Sequence, residues 1–173
     1  MNPLFIMTAL ALLLAATFVH AVCKARSGQL FANSLIVNTT PKGRATRLAD
    51  AAFTSRYLLA KAGSDASHIA ICTAADKPLG VVPDMTPTTD TDTSYPLPVN
   101  FLGLNEDTER MIASGVIAID AMVVPDAAGQ VKSLPTSGGG TTYIIGKAVS
   151  AAAAAGDQIE VIPCFPYLVT IAT

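Results

Sequence analysis

Residues Thr141–Ile162, TTYIIGKAVSAAAAAGDQIEVI, contain the clearest structural pattern in this sequence. The run Thr142–Ile145 is rich in residues that favour strands, and it ends at Gly146. After the alanines, Gly156–Asp157 is a turn signal, because glycine accepts positive φ and aspartate can bond its own backbone. Gln158–Val161 then alternates polar and apolar residues, as a half-buried strand does. The stretch predicts a strand, a break and a second strand that share one core.

A weaker copy of this pattern lies upstream. Ala118–Pro125 and Ala155–Pro163 each place an aspartate, Asp120 or Asp157, two residues before an apolar residue and four before a valine. One interpretation is that two strands simply begin alike. The other is that the chain contains two related β-units in one small β-domain.

The remaining strand candidates are short and separated by turn signals. We expect Phe53–Ala62 to contain a strand, although its pattern also fits a helix. His68–Cys72 and Leu79–Val82 form a hairpin-like pair, and Pro83–Pro98 is an exposed loop. Further strands are predicted at Ser34–Val37, Leu97–Leu102, Thr108–Ala113, Val123–Val124 with Gln130–Leu134 as a hairpin, and Leu168–Ile171 as a closing strand. This spacing predicts an all-β fold, a compact β-sandwich or barrel.

Composition limits the classes of function. The residues are 51% apolar and only 14% charged, which suits a protein whose surface is largely covered by partners. The net charge of −2 gives no electrostatic basis for direct nucleic-acid binding. The three cysteines, Cys23, Cys72 and Cys164, are widely spaced and indicate neither a disulfide framework nor a zinc site. We expect buried free thiols.

The N-terminal part of the chain differs from the rest. Leu4–Val22 is a run of nineteen residues without a charge, near the minimum for spanning a bilayer. It could be a signal peptide, although no Lys or Arg precedes it. It could also be a membrane anchor, or an apolar arm or helix buried against other subunits, which we favour. We therefore divide the chain into an arm or anchor with linker, residues 1–45, and a β-rich domain, residues 46–173.

A search for catalytic and binding motifs is largely negative. No metalloprotease, phosphate-loop or nucleophile-elbow motif occurs. Asp90 and Asp92 resemble half of a calcium loop, but the required Gly and Glu are missing. The other candidates fit structural roles: they are His20, His68, Glu106, Asp107, Asp120, Asp157 and the loop tip Ser137–Gly140. The sequence predicts no catalytic, cofactor-binding or metal-binding residues, no cofactor, and a protein that is not an enzyme.

The order of several short motifs resembles a known family. These motifs are Arg56–Gly63, Lys77–Val81, Met111–Gly115, Ala127–Val131, Tyr143–Ala148 and Ala155–Val161. Together they resemble the small capsid decoration, or cement, proteins of tailed bacteriophages, over roughly residues 47–163. The apolar run Leu4–Val22 lies outside this resemblance.

The resemblance implies a structural virion protein on the outer surface of the capsid. Such a protein would stabilise the shell by bridging major capsid protein subunits, and it would assemble with copies of itself as a homotrimer. We expect its interface to use the N-terminal arm and the loop Pro83–Pro98. The alternative is a membrane-anchored or exported β-domain with a binding role, with membrane contact through residues 4–22.

Overall fold

Ten strands make up the part of this protein that the structure describes. The computed structural model describes residues 43–87, 95–104 and 107–173. The strands are β1 Arg44–Ala49, β2 Leu58–Ala62, β3 His68–Ile71, β4 Gly80–Val82, β5 Pro96–Phe101, β6 Glu109–Ile112, β7 Met122–Pro125, β8 Val131–Ser133, β9 Thr141–Ala148 and β10 Gln158–Thr170. A single 3-10 turn, Ala127–Gly129, joins β7 to β8. The prediction of an all-β fold is confirmed.

The first five strands form a closed barrel with the neighbour order β1-β3-β2-β4-β5. β1 and β3 are parallel, every other pair is antiparallel, and β5 closes the barrel against β1. Closure removes free sheet edges, so the inward side chains can form a dry core. The buried residues of this core are Ala49, Phe53, Leu58, Ala60, Ile69, Val82, Leu97 and Val99, joined by Ile112 from β6.

The last five strands form a second sheet with the order β6-β10-β9-β7-β8, antiparallel throughout. A parallel bridge between Ala113 and Val131 brings β8 against the end of β6. There the Ser114 N–H donates to the Val131 carbonyl oxygen over 2.8 Å. The second sheet therefore curls towards closure around a second core, which includes Met111, Ile117, Val123, Ile145, Ile159 and Val161.

The second five strands repeat the connectivity of the first five. Around the barrel the order is β1-β3-β2-β4-β5, and around the curled sheet, counting the bridge, it is β6-β8-β7-β9-β10. In both rings the first and third strands make the one parallel contact, and all other contacts are antiparallel. We call β1–β5 the first unit and β6–β10 the second unit.

Individual backbone hydrogen bonds also repeat between the units. Four bonds in the first unit have counterparts whose donors and acceptors hold the same places in the second. The matched donor–acceptor pairs are Ala49–Tyr95 with Ala113–Asp157, Asp50–Ile69 with Ser114–Val131, Tyr57–Val82 with Asp120–Ala148, and Thr86–Phe53 with Ala152–Ile117. Tyr57 and Asp120 also share a left-handed backbone, with φ of 64° and 68°. The hypothesis of two related β-units is thus correct.

The segments on which that hypothesis was based are, however, not equivalent. Ala118–Pro125 leads into β7, the second strand of its unit, whereas Ala155–Pro163 leads into β10, the fifth. Both strands pair with β9, one on each side, so they lie parallel to each other in the same sheet. Their similar sequences reflect two turns that lead into the strands on either side of β9. In the structural repeat, β7 corresponds to β2 and β10 corresponds to β5.

Gly146 does not end a strand, contrary to the sequence prediction. β9 continues through it, and Gly146 pairs with Pro163 of β10. A Cβ at Gly146 would overlap the carbonyl oxygen of Ile162, and a Cβ at the equivalent Gly80 would overlap that of Asn100. Glycine is present because β9 and β10, like β4 and β5, approach too closely for any side chain.

Three further predictions need correction. β3 and β4 do not form a hairpin-like pair, because β2 lies between them and pairs with both. Leu168–Ile171 is not a separate closing strand, since β10 runs unbroken to Thr170 with a register shift after Pro163. Phe53–Ala62 is a strand only from Leu58 onward.

The two units share a hydrophobic core, because the cluster around Met111 also contains buried residues of the first unit, which are Leu59, Cys72, Val81 and Leu102. The Gly129 N–H donates to the Cys72 carbonyl oxygen over 2.8 Å. The buried Asn100 side chain of β5 donates from Nδ2 to Oε2 of Glu109 on β6 over 2.8 Å. Residues 1–42, with the predicted arm and the strand Ser34–Val37, lie outside the described residues. The division of the chain at residues 45 and 46 therefore stays a prediction.

Candidate assembly surfaces

The second unit contains one element that the first unit lacks. β4 begins at Gly80, the equivalent of Gly146, whereas β9 begins five residues earlier. β5 ends at Phe101, the equivalent of Pro163, whereas β10 continues to Thr170. These additional residues pair with each other as a two-stranded extension. We call this extension, Thr141–Ile144 with Cys164–Thr170, the ribbon.

The ribbon exposes large apolar side chains. Phe165 and Leu168 are 63% and 57% exposed, and Tyr167 is also exposed. Ile162 at the base of the ribbon and Leu104 in the loop after β5 are exposed as well. Monomeric soluble proteins rarely expose apolar side chains in such a group, and where they do the group marks a contact site.

The strand pairing of the ribbon explains why it exposes apolar side chains so freely. Strand residues normally alternate between two faces. Tyr167 and Leu168 pair in regular register with Ile144 and Tyr143, so they lie on opposite faces of the ribbon, and both are exposed. β6 pairs only with Gln158–Val161, and beyond this point β9 is the single strand neighbour of β10 among the described residues. Prolines are tolerated there because no second ladder requires their missing N–H.

The loop after β5 holds the base of the ribbon. A Cβ at Gly103 would lie 2.5 Å from the backbone nitrogen of Phe165 and 2.8 Å from its Cγ. Only a glycine permits the loop backbone to approach Phe165 this closely. The loop after β5 in the first unit thus contacts the ribbon directly, and the backbone at Gly103 packs against Phe165.

The ribbon also lacks charge. No Asp, Glu, Lys, Arg or His occurs from Val161 to Thr173, and none occurs from Thr141 to Gly146. Its one cysteine, Cys164, is half-buried, and burial raises the pKa of its thiol. The thiol is therefore protonated at neutral pH and is a poor nucleophile. The chemistry of the ribbon is that of an apolar contact surface.

A second apolar group lies at the other end of β9. It consists of Val116, Ile119 and Met122, and we call it the loop patch. Val116 and Ile119 are 74% and 60% exposed. Ile117, between them in sequence, is buried and exchanges backbone hydrogen bonds with Ala152 over 3.0 and 2.9 Å.

Two aspartates fix the surroundings of the loop patch. The Asp157 carboxylate accepts hydrogen bonds from the N–H groups of Ala153 and Ala154, which folds the alanine-rich loop back towards β10. Asp120 pairs with Lys147 over 2.7 Å beside Met122. The prediction that both aspartates are turn residues is confirmed.

The structure gives the other candidate residues structural roles. His68 Nδ1 lies 2.7 Å from Oδ1 of Asp65, and this hydrogen bond lowers the pKa of the Asp65 carboxyl. Burial raises the pKa of the Cys72 thiol to about 12, so Cys72 is an inert core residue. Ser137–Gly140 is a bend that leads into β9, as predicted.

Several predicted positions lie outside the described residues: His20, Cys23, Asp90, Asp92 and Glu106. Within the described ranges, no group of three or more potential metal ligands comes together. No helix in those same ranges is long and apolar enough to cross a membrane.

The loop Pro83–Pro98, which we expected to form part of the interface, is described only at its two ends. Its first part is not simply exposed, because Thr86 is buried. The Phe53 N–H donates to Thr86 Oγ1 over 3.0 Å, and the Thr86 N–H donates to the Phe53 carbonyl oxygen over 2.9 Å. Sequence reasoning missed the ribbon and the loop patch. The uncharged C-terminal stretch was the available signal.

Comparison with known proteins finds similarity at the level of structure. No protein-family model matches the chain, and no curated protein matches it. Among solved structures, the chain is similar to the N base of the head fiber gp8.5 of bacteriophage phi29, with 18% sequence identity and a TM-score of 0.47. The match covers 71% of this chain and 94% of that chain. At this level it assigns neither a family nor a function, and the resemblance to capsid decoration proteins stays a prediction.

Proposed function

We propose that this chain is a structural protein of a bacteriophage virion, located on the capsid surface. In this proposal it binds the outside of the shell and stabilises it by bridging major capsid protein subunits. The observation that carries the proposal is the pair of exposed apolar groups, the ribbon and the loop patch, at opposite ends of β9. The order of sequence motifs, which resembles that of capsid decoration proteins, supports it.

The geometry suits bridging because a bridging protein needs at least two separate contact surfaces. β9 contains 8 residues, which places its two ends about 23 Å apart at the usual rise of a strand. One surface, the loop patch, then contacts the shell and the other contacts another copy of this chain, so that an oligomer binds neighbouring capsid subunits through several loop patches and gains effective concentration at each. Binding to the assembled shell alone then stabilises that shell by mass action.

The proposal requires neither catalysis nor direct contact with nucleic acid. The major capsid protein is the proposed partner, together with other copies of this chain as a homotrimer. The net charge of −2 is consistent with a protein that does not bind the packaged genome.

The test is co-sedimentation with capsid shells that lack this protein, with the bound copies counted per shell. We expect saturation at a fixed ratio to the capsid subunit and a rise in the temperature at which the shells break. The double variant Val116→Ser/Ile119→Ser should lower the affinity about 10-fold or more, since both side chains would be truncated at a buried contact.

A matched control is Ala51→Ser/Ala52→Ser, which changes two exposed residues outside both patches. This control should bind as the natural protein does. Absence of binding by the natural protein, or equal binding by the loop-patch variant and the natural protein, would contradict the proposal.

The second candidate function is a membrane-anchored or exported β-domain with a binding role, and it is favoured by the uncharged run Leu4–Val22. The same purified protein distinguishes the two candidates in a flotation experiment with lipid vesicles. Flotation of the protein with vesicles, together with no binding to shells, would support the membrane function and exclude the capsid function.

A further inference from the structure

We propose that the ribbon is the surface through which copies of this chain associate, with the ribbon of one molecule packed against the ribbon of another. The proposal rests on the proposed function for the expectation that copies associate, and it deepens that function by naming the surface they share. It is argued from three properties of the ribbon: its exposure, its lack of charge and its area.

The exposure of the ribbon is not a consequence of barrel closure. The first unit closes with the shorter strands β4 and β5, so the core common to both units needs none of the residues Thr141–Ile144 and Cys164–Thr170. The ribbon nevertheless presents Phe165, Tyr167 and Leu168 to solvent. Because the ribbon buries few of its apolar side chains within its own molecule, these side chains are available for contact with another molecule.

The lack of charge favours a second copy over an unrelated partner. Contacts between different proteins usually match charges of opposite sign, which provide specificity and steering. The ribbon has no charged residue on either strand, so it carries nothing for such a match. Two copies of an uncharged apolar surface meet without like-charge repulsion, and each covers the other.

The prolines of β10 define how a second copy docks. Prolines and an irregular register are two ways in which natural proteins protect an exposed strand edge, and β10 has both. Pro163 and Pro166 cannot donate backbone hydrogen bonds, so they prevent a long strand-to-strand ladder with a partner. The contact is therefore made mainly by side chains, with Phe165, Tyr167 and Leu168 as the anchors.

The area is sufficient for a small specific interface. Aromatic side chains bury about 150–250 Å² each when fully covered, and the side chains of Leu and Ile bury less. The apolar group of Ile162, Phe165, Tyr167, Leu168 and Leu104 is roughly half exposed, so it supplies at most about 450 Å² per copy. Two ribbons would bury at most about 900 Å², the size of a weak interface. Association should accordingly depend on protein concentration.

The test is analytical ultracentrifugation of the full chain from about 1 μM to about 200 μM, the range in which a small interface dissociates. We expect a reversible shift from monomer to a small closed oligomer that is insensitive to salt, because the contact is apolar. The double variant Phe165→Ser/Leu168→Ser should weaken association by about 100-fold, as expected when two buried anchors are truncated.

The matched control is the loop-patch variant Val116→Ser/Ile119→Ser, since it removes two apolar side chains of similar exposure at the far end of β9. It should associate as the natural protein does. A natural protein that is monomeric throughout the range would overturn the proposal. So would an oligomer that persists in the ribbon variant or dissociates in the loop-patch variant.

A measurement on the natural protein covers the case in which the ribbon variant does not fold. Amide hydrogen exchange of residues 164–170 should slow as the protein concentration rises, while exchange in the loop patch stays constant. Exchange that is independent of concentration in the ribbon, under conditions where the protein is oligomeric, would place the contact elsewhere. Neither experiment contains a capsid, so failure here leaves the capsid function to its own test.

Discussion

At the scale of single residues, the backbone conformation of three residues is unusual. Tyr57, Asp120 and Ala128 have positive φ, in the left-handed region that side chains with a Cβ disfavour. Tyr57 and Asp120 hold equivalent places in the two units and donate equivalent hydrogen bonds, to Val82 and Ala148. The left-handed residue before the second strand is therefore a feature of the repeated fold, which both units keep with different side chains.

Ala128, with φ of 54°, lies in the 3-10 turn with its side chain exposed. We expect Ala128→Gly to raise the free energy of unfolding by about 1 kcal/mol, because glycine adopts this conformation without the steric cost. Urea unfolding monitored by circular dichroism would measure the change.

The neighbouring Ala127 is also exposed but is not among the residues with positive φ. Ala127→Gly should lower the stability by about 0.5–1 kcal/mol through the greater entropy of the unfolded chain. If both substitutions changed stability in the same direction, the account of strain at Ala128 would be wrong.

At the scale of single elements, the most restrictive feature is the close approach of the fourth and fifth strands in each unit, which excludes a side chain. Gly80 and Gly146 are equivalent, and a Cβ at either would overlap a backbone carbonyl oxygen of the neighbouring strand. A backbone atom in a paired strand cannot rotate away as the end of a side chain can. The two strands would have to separate, which would break ladder hydrogen bonds and open the core.

We therefore expect Gly80→Ala and Gly146→Ala each to lower the free energy of unfolding by about 1–3 kcal/mol, the usual cost of overpacking. Thermal or urea unfolding of the two variants would measure it. Gly115→Ala is the control, because no atom lies within 4 Å of the added Cβ and φ there is not positive. A control as unstable as the two variants would show that the loss does not come from steric overlap.

At the scale of the whole molecule, the free energy of unfolding should fall at acid pH. Burial raises the pKa of Asp126, but hydrogen bonds from Ser114 Oγ over 2.7 Å and Lys132 Nζ over 3.0 Å outweigh it, so the pKa is lowered overall. A hydrogen bond from Thr73 lowers the pKa of Asp76, and His68 lowers that of Asp65. A carboxyl whose pKa is lower in the folded protein stabilises the fold only while it is ionised.

The contribution of these carboxylates is complete above the unfolded pKa of about 4 and is lost as the pH falls through their lower folded values. We expect Asp126→Asn to be less stable than the natural protein at pH 7, and the difference to shrink as the pH falls below about 4. Urea unfolding at a series of pH values would measure both. A difference that stayed constant with pH would exclude the ionised Asp126 as its source.

The repeated architecture itself could not be predicted from the sequence. Equivalent positions such as Phe53 and Ile117, or Tyr57 and Asp120, share burial or backbone conformation and not residue type. The turns between equivalent strands also differ in length, so the spacing of the two copies is not constant. Strand neighbours are chosen by long-range pairing, and hydrophobic alternation indicates which face is buried but not which strand lies alongside.

The exposure of the ribbon could not be predicted from the sequence either, and the reason is physical. Phe165, Tyr167 and Leu168 read as core residues of a strand, because an apolar side chain in a β-pattern is usually buried. They are exposed because β6 ends its pairing with β10 at Val161, and beyond that residue β9 is the one strand neighbour of β10 among the described residues. The end of this pairing leaves no signal at the apolar residues themselves.

The sequence by itself determined the all-β class, the turns at Asp120 and Asp157, and the approximate places of most strands, because these depend on local propensity and on alternation with a period of two. Only the tertiary structure decided that β2 separates β3 from β4, that β9 continues through Gly146, and that two units share one connectivity. These features depend on contacts between residues far apart in the chain, where backbone approach and register select one pairing among several that the local sequence allows.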